Sequence, residues 1–508
     1  MLLYLLVLVA SASVHAATEC IPRQFEYDTI VCVCNATYCD EIGETPWPST
    51  GEYTIITTSK DGLRFNVEYK TPDTVPDPEA VVVRVKHDFT YQTMKGFGGA
   101  FTDSTGINIV TLSNATQENL LRAYFSPEGI EYNLCRIPIA GSDFSVRPYS
   151  YDDVPEDSEL INWALADEDL QYKIPMILRA QELSQNHIML FGTPWAPPAW
   201  MKTSGLVNGT GQGELRKDMY QPYANYIVKF VEAYEAAGVP IWGLTPQNEP
   251  LGGFDENWAF NTCGFTAEDM RDWIKFNLGP TLEAAGMRRL ALMVCDWNRD
   301  LLPWYIIPMM EDPDCEKYID GTAVHWYEDF TTGPSVLDET QALFPNKFLL
   351  YSEGCEGWRP PTGPYLGDWT RAENYARDIL ENCNHFATGW VDWNMALDPI
   401  GGPNWVDNFV DSPIVVNATA DEFYKQPTYY VMGHFSKFIQ EGAIRVFSSV
   451  AGTETPLKST AFHDPYGPTV IILHNRGDVP LNISVTDESV NYLNFQIPAK
   501  AIQTILSP

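Results

Sequence analysis

The sequence predicts an α/β protein: a (β/α)8 TIM barrel, a β-sandwich built from both chain ends, and a small disulfide-stapled N-terminal β lobe. Three observations predict it. Eight short apolar runs lie in the middle of the 508-residue chain, each ending in polar and aromatic residues, with helix-like spacers between several of them. Alternating apolar and polar runs rich in Val, Ile, Thr and Tyr stand at both ends. Four cysteines crowd the start of the mature chain: Cys20, Cys32, Cys34 and Cys39.

In chain order, "LLYLLVLVASAS" is an apolar run too short to span a bilayer. "VHA" follows with small residues, so residues 1–16 read as a signal peptide, although no positive charge precedes the run. Sequons at Asn35, Asn114, Asn208, Asn417 and Asn482 agree with secretion and are candidate glycosylation sites. In the cysteine cluster, Cys32 and Cys34 are too close to pair comfortably. That leaves 20–32 with 34–39, or 20–34 with 32–39, with a zinc site as the competing reading. Cys135, Cys263, Cys295, Cys315, Cys355 and Cys383 are scattered and can be buried thiols.

"GEYTIITTSKDGLRFNVEYK" and "AVVVRVKHDFTYQTMKGF" read as antiparallel strands, as does the segment from "TAFHDPYGPTVIILHN" to the C-terminus. The eight inner runs end in "GFGGAFTDS", "NLCRIPIAGSDFS", "IMLFGTPWAPPAW", "IWGLTPQNEP", "LMVCDWNRD", "AVHWYED", "FLLYSEGC" and "WVDWNMAL". "RDWIKFNLGPTLEAAG" is a typical helical spacer. A doubly wound sheet would alternate similarly, but "GFGGAF" lacks the G-x-G-x-x-G spacing of a phosphate loop. "LLPWYIIPMM" reads first as a barrel helix packing inward. A membrane- or activator-facing surface at Trp304 and Tyr305 is the alternative.

The net charge of −35 argues against nucleic acid as a partner and against electrostatic docking on anionic membranes at neutral pH. In an acidic lumen many carboxylates approach protonation and that repulsion shrinks. No metal constellation stands out, since His434 and His463 lie in unrelated segments, and no cofactor is expected.

Glu249 ends the fourth run and Glu353 the seventh. Ends three strands apart face each other across the mouth of a closed eight-strand barrel. Two carboxylates so placed can flank one glycosidic bond: retention needs them about 5–5.5 Å apart, inversion about 6.5–9.5 Å. Alone, either acid would read as a solvated strand-end residue. Asn248 beside Glu249 can donate to a sugar 2-hydroxyl.

"KGFGGAFTD", "RIPIAGSDFS", "TPWAPPAWMKT", "NEP", "AVHWYEDF", "YSEGC", "DWNMALDPIGGPNWVDNFVDSPI" and "FYKQPTYYVMGHFSKFI" resemble the family-30 glycoside hydrolases, in particular their animal branch. The N-terminal "CIP…VCVCNATYCD" matches that branch too. The resemblance covers nearly the whole mature chain and implies a retaining β-glucosidase that removes glucose from ceramide. It implies a glycolipid substrate, a lumenal membrane surface with a saposin-type activator, and a lysosomal lumen, with secretion as the alternative. It also favours the pairings Cys20–Cys32 and Cys34–Cys39. The boundaries that go with it are 17–45 plus about 395–423 for the stapled lobe, 46–94 plus about 440–508 for the sandwich, and 95–394 plus about 424–439 for the barrel.

Residue by residue, the family's acid/base falls on Glu249 and its nucleophile on Glu353. Its sugar-binding residues fall on Asp143, Trp195, Asn248 and Trp393, and the surrounding shell on Arg136, His325, Trp326 and Tyr327. "TPQNEP", Trp297 in "CDWNRD" and the loop "EGWRPPTGPYLGDW" depart from the family around the leaving-group entrance. Rival expectations are another specificity (a steryl or aryl glucoside, or a polysaccharide) and an inactive sugar- or lipid-binding chaperone.

Overall fold

A computed structural model describes residues 17–452, 455–464, 467–487 and 491–507. The expected signal peptide lies outside the described residues. Among those residues no helix is long and apolar enough to cross a membrane.

Eight parallel strands close into a barrel. They are β1 (Gly96–Ala100), β2 (Leu134–Ile139), β3 (Met189–Pro194), β4 (Gly243–Leu244), β5 (Ala291–Asn298), β6 (Gly321–His325), β7 (Phe348–Glu353) and β8 (Ala387–Asn394). These are the eight runs read from the sequence. Alternation along each strand fills the barrel: Leu134, Met189, Phe191, Met293, Ala323, Leu350 and Val391 form one buried interior cluster. The spacer after Thr266 is helical from Ala267 to Ala284, with one wide turn at Ile274–Leu278. "LLPWYIIPMM" packs inward: Tyr305 and Ile306 are buried, and only Trp304 stands out, at 51% exposure.

The two chain ends form a nine-stranded sheet, in which Val81–Thr93 pairs with Ile444–Val450 and Tyr53–Ser59 with Ala501–Ser507. One pairing departs from the antiparallel expectation, since Leu481–Thr486 runs parallel to Val81–Thr93. Period-two alternation explains why the strand Thr469–Asn475 is buried throughout. Ile471 and Leu473 face the sandwich core, while Val470 and Ile472 face the large core shared with the barrel. The stapled lobe is a five-stranded sheet joining Pro22–Gln24 and Ile30–Asn35 to the late strands Glu422–Lys425, Ile414–Asn417 and Ala396–Leu397. Its disulfides are Cys20–Cys32 and Cys34–Cys39, so the zinc alternative has no thiolates left. The other six cysteines are free and buried. Of the sequon asparagines, Asn114 and Asn482 are exposed, and Asn35, Asn208 and Asn417 are half-buried.

The helix Pro427–Ser436 locks barrel and sandwich together, and all ten of its residues are buried. His434 bridges Thr58 and Thr504 through its two ring nitrogens, at 2.9 and 2.8 Å. A Cβ on Gly433 would lie 2.6 Å from Ile130 Cγ2 and 2.7 Å from Phe65 Cζ. Gly433→Ala is therefore expected to lower the melting temperature by about 2–6 °C through overpacking. Differential scanning calorimetry checks this.

Candidate active site

The strand ends are stitched to one another at the barrel mouth. The Asn248 N–H donates to the Pro194 carbonyl (2.8 Å), that of Glu249 to Asp296 (3.0 Å), that of Trp326 to Glu353 (3.1 Å) and that of Trp393 to Gly354 (2.8 Å). The stitching holds strained backbone. Glu249 sits at φ +47° and the neighbours Cys295 and Asp296 at +81° and +49°. Left-handed conformations in such residues cost on the order of 1–3 kcal/mol each. In β5 the strain marks a bulge, where the register against β6 slips between Cys295 and Trp297. The bulge turns the Asp296 carboxylate inward.

Arg136, on β2, is fully buried in the centre of this ring. Its guanidinium is ion-paired to Glu353 and to Asp296 Oδ2 (2.7 Å). It also donates to Asn248 Oδ1 (2.9 Å) and Thr193 Oγ1 (3.1 Å). The Trp195 ring covers it at 4.7 Å, and Trp195 stacks on Trp393 with centroids 5.0 Å apart.

His325 lies at the end of β6. Its Nε2 is 3.1 Å from Asp296 Oδ1 and its Nδ1 3.3 Å from Glu249 Oε1 and 4.0 Å from Glu353 Oε1. Those two glutamate oxygens are therefore at most about 7.3 Å apart, the two Nδ1 distances laid end to end. Two carboxyl groups at that spacing can flank one glycosidic bond.

The charges are divided unevenly. Burial works against a charge on His325, but Glu353, Asp296 and Glu249 outweigh it and push its pKa up to about 9. Asp296 is held well below the usual carboxylate range: burial opposes this, but Arg136, His325 and Ser352 prevail. Glu249 goes the other way. Burial, helped by the negative Glu353, raises its pKa, against the pull of His325 and Arg136. Asp143 is pushed up to about 7 by burial and by the nearby Glu353 and Glu249, although Asn404 and Asn408 donate to its Oδ2 at 3.2 and 3.0 Å.

A cavity of about 250 Å³ opens above this network. Asp143, Trp195, Asn248, Glu249, Tyr327, Glu353 and Trp393 line it, so these sequence-selected residues are brought together. Arg136 and His325 lie beneath its floor as the charged layer just described. Trp326 is elsewhere: it packs on Tyr375 and Trp390 and has no face on the cavity. Sequence reasoning missed Asp296, although "CDWNRD" ended a strand in a carboxylate. It also missed Asn404 and Asn408, which fix Asp143 from a distant loop. The half-buried Trp258, Phe260, Trp297 and Trp358 form an aromatic rim.

Comparison with known proteins agrees with this arrangement. Residues 94–439 match the glycosyl hydrolase family 30 TIM-barrel domain and residues 442–505 the family's beta sandwich domain. The chain belongs to glycoside hydrolase family 30. It is 43% identical to putative glucosylceramidase 3 of Caenorhabditis elegans over 499 residues, covering 97% of this chain and 95% of that one. It is also 43% identical to the lysosomal acid glucosylceramidase of Mus musculus over 500 residues, covering 97% and 96%. Among solved structures, SrfJ from Salmonella typhimurium superposes with a TM-score of 0.82 at 27% identity, over 90% of this chain and 99% of that one. The endo-beta1,6-glucanase BT3312 gives 0.80 at 27%, with the same coverage. The chain is thus a glycoside hydrolase, and its disulfides agree with the secretory pathway.

The His325–Glu249 contact has a measurable consequence. The imidazolium holds the Glu249 pKa lower than burial alone would. In His325→Gln, Glu249 should keep its proton to higher pH. The basic limb of kcat/KM for an aryl β-glucoside is then expected to move to higher pH. A pH–rate profile checks this.

Proposed function

We propose that this chain hydrolyses the β-glucosidic bond of glucosylceramide with retention, using Glu353 as nucleophile and Glu249 as acid/base. The observation that carries the reading is the pair of glutamates that both lie within 4.0 Å of one imidazole nitrogen, in a chain 43% identical over 97% of its length to a lysosomal acid glucosylceramidase. A Glu353 oxygen attacks the anomeric carbon from one face while the bond to the ceramide oxygen breaks, and Glu249 gives that oxygen its proton. The product is a glucosyl ester on Glu353 and free ceramide. Water then attacks the same carbon, Glu249 takes the water's proton, and the ester opens to release β-glucose.

Electrostatics supports the exchange of roles. Before the first step, burial and the negative Glu353 keep a proton on Glu249. Once Glu353 is esterified that negative charge is gone, and Glu249 can act as base. Asn248, held by Arg136, stands next to Glu249 to meet the sugar 2-hydroxyl, and the stacked Trp195 and Trp393 offer the sugar an apolar wall. The rim of Trp258, Phe260, Trp297 and Trp358 suits an apolar leaving group.

The setting belongs to the same reading: a lysosomal lumen, at a membrane surface, with a saposin-type activator. Five loops that leave the C-terminal ends of barrel strands carry exposed apolar side chains: Val146, Leu206, Trp304, Phe330 and Ile400. Tyr305 is buried and takes no part in such a surface.

Glu353→Gln should lower kcat at least about a thousandfold on every substrate. Glu249→Gln should spare the first step for aryl glucosides with good leaving groups and abolish turnover of glucosylceramide. Ordinary turnover in Glu353→Gln would overturn the assignment. For specificity, glucosylceramide in acidic-lipid liposomes at acidic pH should be hydrolysed in clear preference to β-1,6-glucan and xylan. A preference for either polymer would replace ceramide as the leaving group.

A further inference from the structure

The strand β7 ends at Glu353, and the chain runs on through Gly354 to Cys355. Period-two alternation turns residues 353 and 355 to the same side. Gly354 faces the other way, where a Cβ would lie 2.5 Å from Trp390 Cζ2 and 3.0 Å from Trp326 Cγ. Cys355 therefore lines the catalytic cavity although its residue surface is only 1% exposed. Its Sγ is 3.5 Å from the Tyr327 hydroxyl, and that hydroxyl is 2.7 Å from Glu353 Oε1.

The direction of these bonds follows from counting protons. A phenol has one. An ionised carboxylate only accepts, so the Tyr327 proton goes to Glu353. The Tyr327 oxygen is then left as acceptor, and the thiol is the donor. Burial raises the Cys355 pKa well above its ordinary value, so the sulfur keeps that proton. Tyr327 is otherwise held by its backbone N–H on Asn298 Oδ1 (3.0 Å), by Arg359, which donates to its carbonyl (3.3 Å), and by edge contacts with the rings of Trp358 and His325. None of these contacts sets the rotation of its hydroxyl.

We propose that Cys355 is a positioning residue for the hydrolysis: its S–H donates to the Tyr327 oxygen and so keeps the Tyr327 proton aimed at Glu353. The inference rests on Glu353 being the nucleophile. The chain of donors thiol to phenol to carboxylate sharpens the phenol as a donor, since a hydroxyl that accepts a bond donates more strongly. It also holds the hydroxyl in place while Glu353 passes through the ester, when its charge no longer does so.

The test is the pH profile of kcat/KM on an aryl β-glucoside, with melting curves alongside. Arg136, Asp143, Glu249 and His325 bear on Glu353, and Asp392 and Glu356 on Cys355. All six stay in place in the variants. Cys355→Ala removes the donor, so kcat/KM should fall about three- to tenfold. A hydrogen bond to the charged form favours that form, so the acid limb should move up by about half a pH unit. Cys355→Ser keeps a donor and should restore most of both changes. Tyr327→Phe should shift the limb further, and adding Cys355→Ala to it should change nothing more. An unshifted limb in Cys355→Ala, or an equal shift on the Tyr327→Phe background, overturns the proposal. If the alanine variant melts below the assay temperature, Cys355→Val, which fills the site without a donor, takes its place in the same comparison. Loss of turnover in Glu353→Gln with an unshifted Cys355→Ala would sink this inference alone. Turnover in Glu353→Gln would sink the reading beneath it.

Discussion

Arg136 is a permanent cation with no access to water, and the mouth of the barrel is arranged around that fact. A buried guanidinium is tolerable only when its donors are met and its charge is balanced. Thr193, Glu353, Asn248 and Asp296 take four of its five N–H donors, and the two carboxylates balance the charge. The same contacts orient the two glutamates of the mouth. Glu353 is held on one side of the guanidinium, and Asn248, next to Glu249, on the other.

A second cation completes the arrangement. His325 stands between Asp296 and the glutamates Glu249 and Glu353, and its pKa is pushed up to about 9. Two cations then face Asp296, Glu353 and Glu249. With Asp296 firmly ionised and Glu353 paired to Arg136, the carboxyls pushed toward keeping a proton are Glu249 and, at the cavity wall, Asp143. The division of labour between two chemically identical side chains comes from this count of charges in a dry space, not from any difference between the glutamates themselves.

Such a site needs a stiff support, because strained backbone persists only where its surroundings overdetermine it. Glu249 and Asp296 both adopt left-handed conformations and are joined by a backbone hydrogen bond. The barrel supplies one layer of support through its interior side chains. The helix Pro427–Ser436, clamped between barrel and sandwich, supplies another, and the stapled lobe ties the first strands of the chain to late ones.

The fold was legible in the sequence because its signals are local. Eight apolar runs with polar ends, period-two strands at the termini and four clustered cysteines each report on their own neighbourhood. The parallel pairing of Leu481–Thr486 with Val81–Thr93 was not legible, since nothing in either strand encodes the direction of a partner some 400 residues away. At the site, the sequence by itself marked Glu249 and Glu353 as strand-end carboxylates on facing strands, with Asn248 beside the first; Asp143, Trp195, Trp393 and Tyr327 were placed near them only by the resemblance to family 30. It could not separate Trp326, one position from Tyr327, which turns its ring away from the cavity. Nor could it find Asp296, whose carboxylate reaches the centre only because a bulge rotates it. Tertiary structure alone decided which charges share one dry volume. That sets which glutamate holds a proton, and proximity across a barrel mouth is not a property of any stretch of chain.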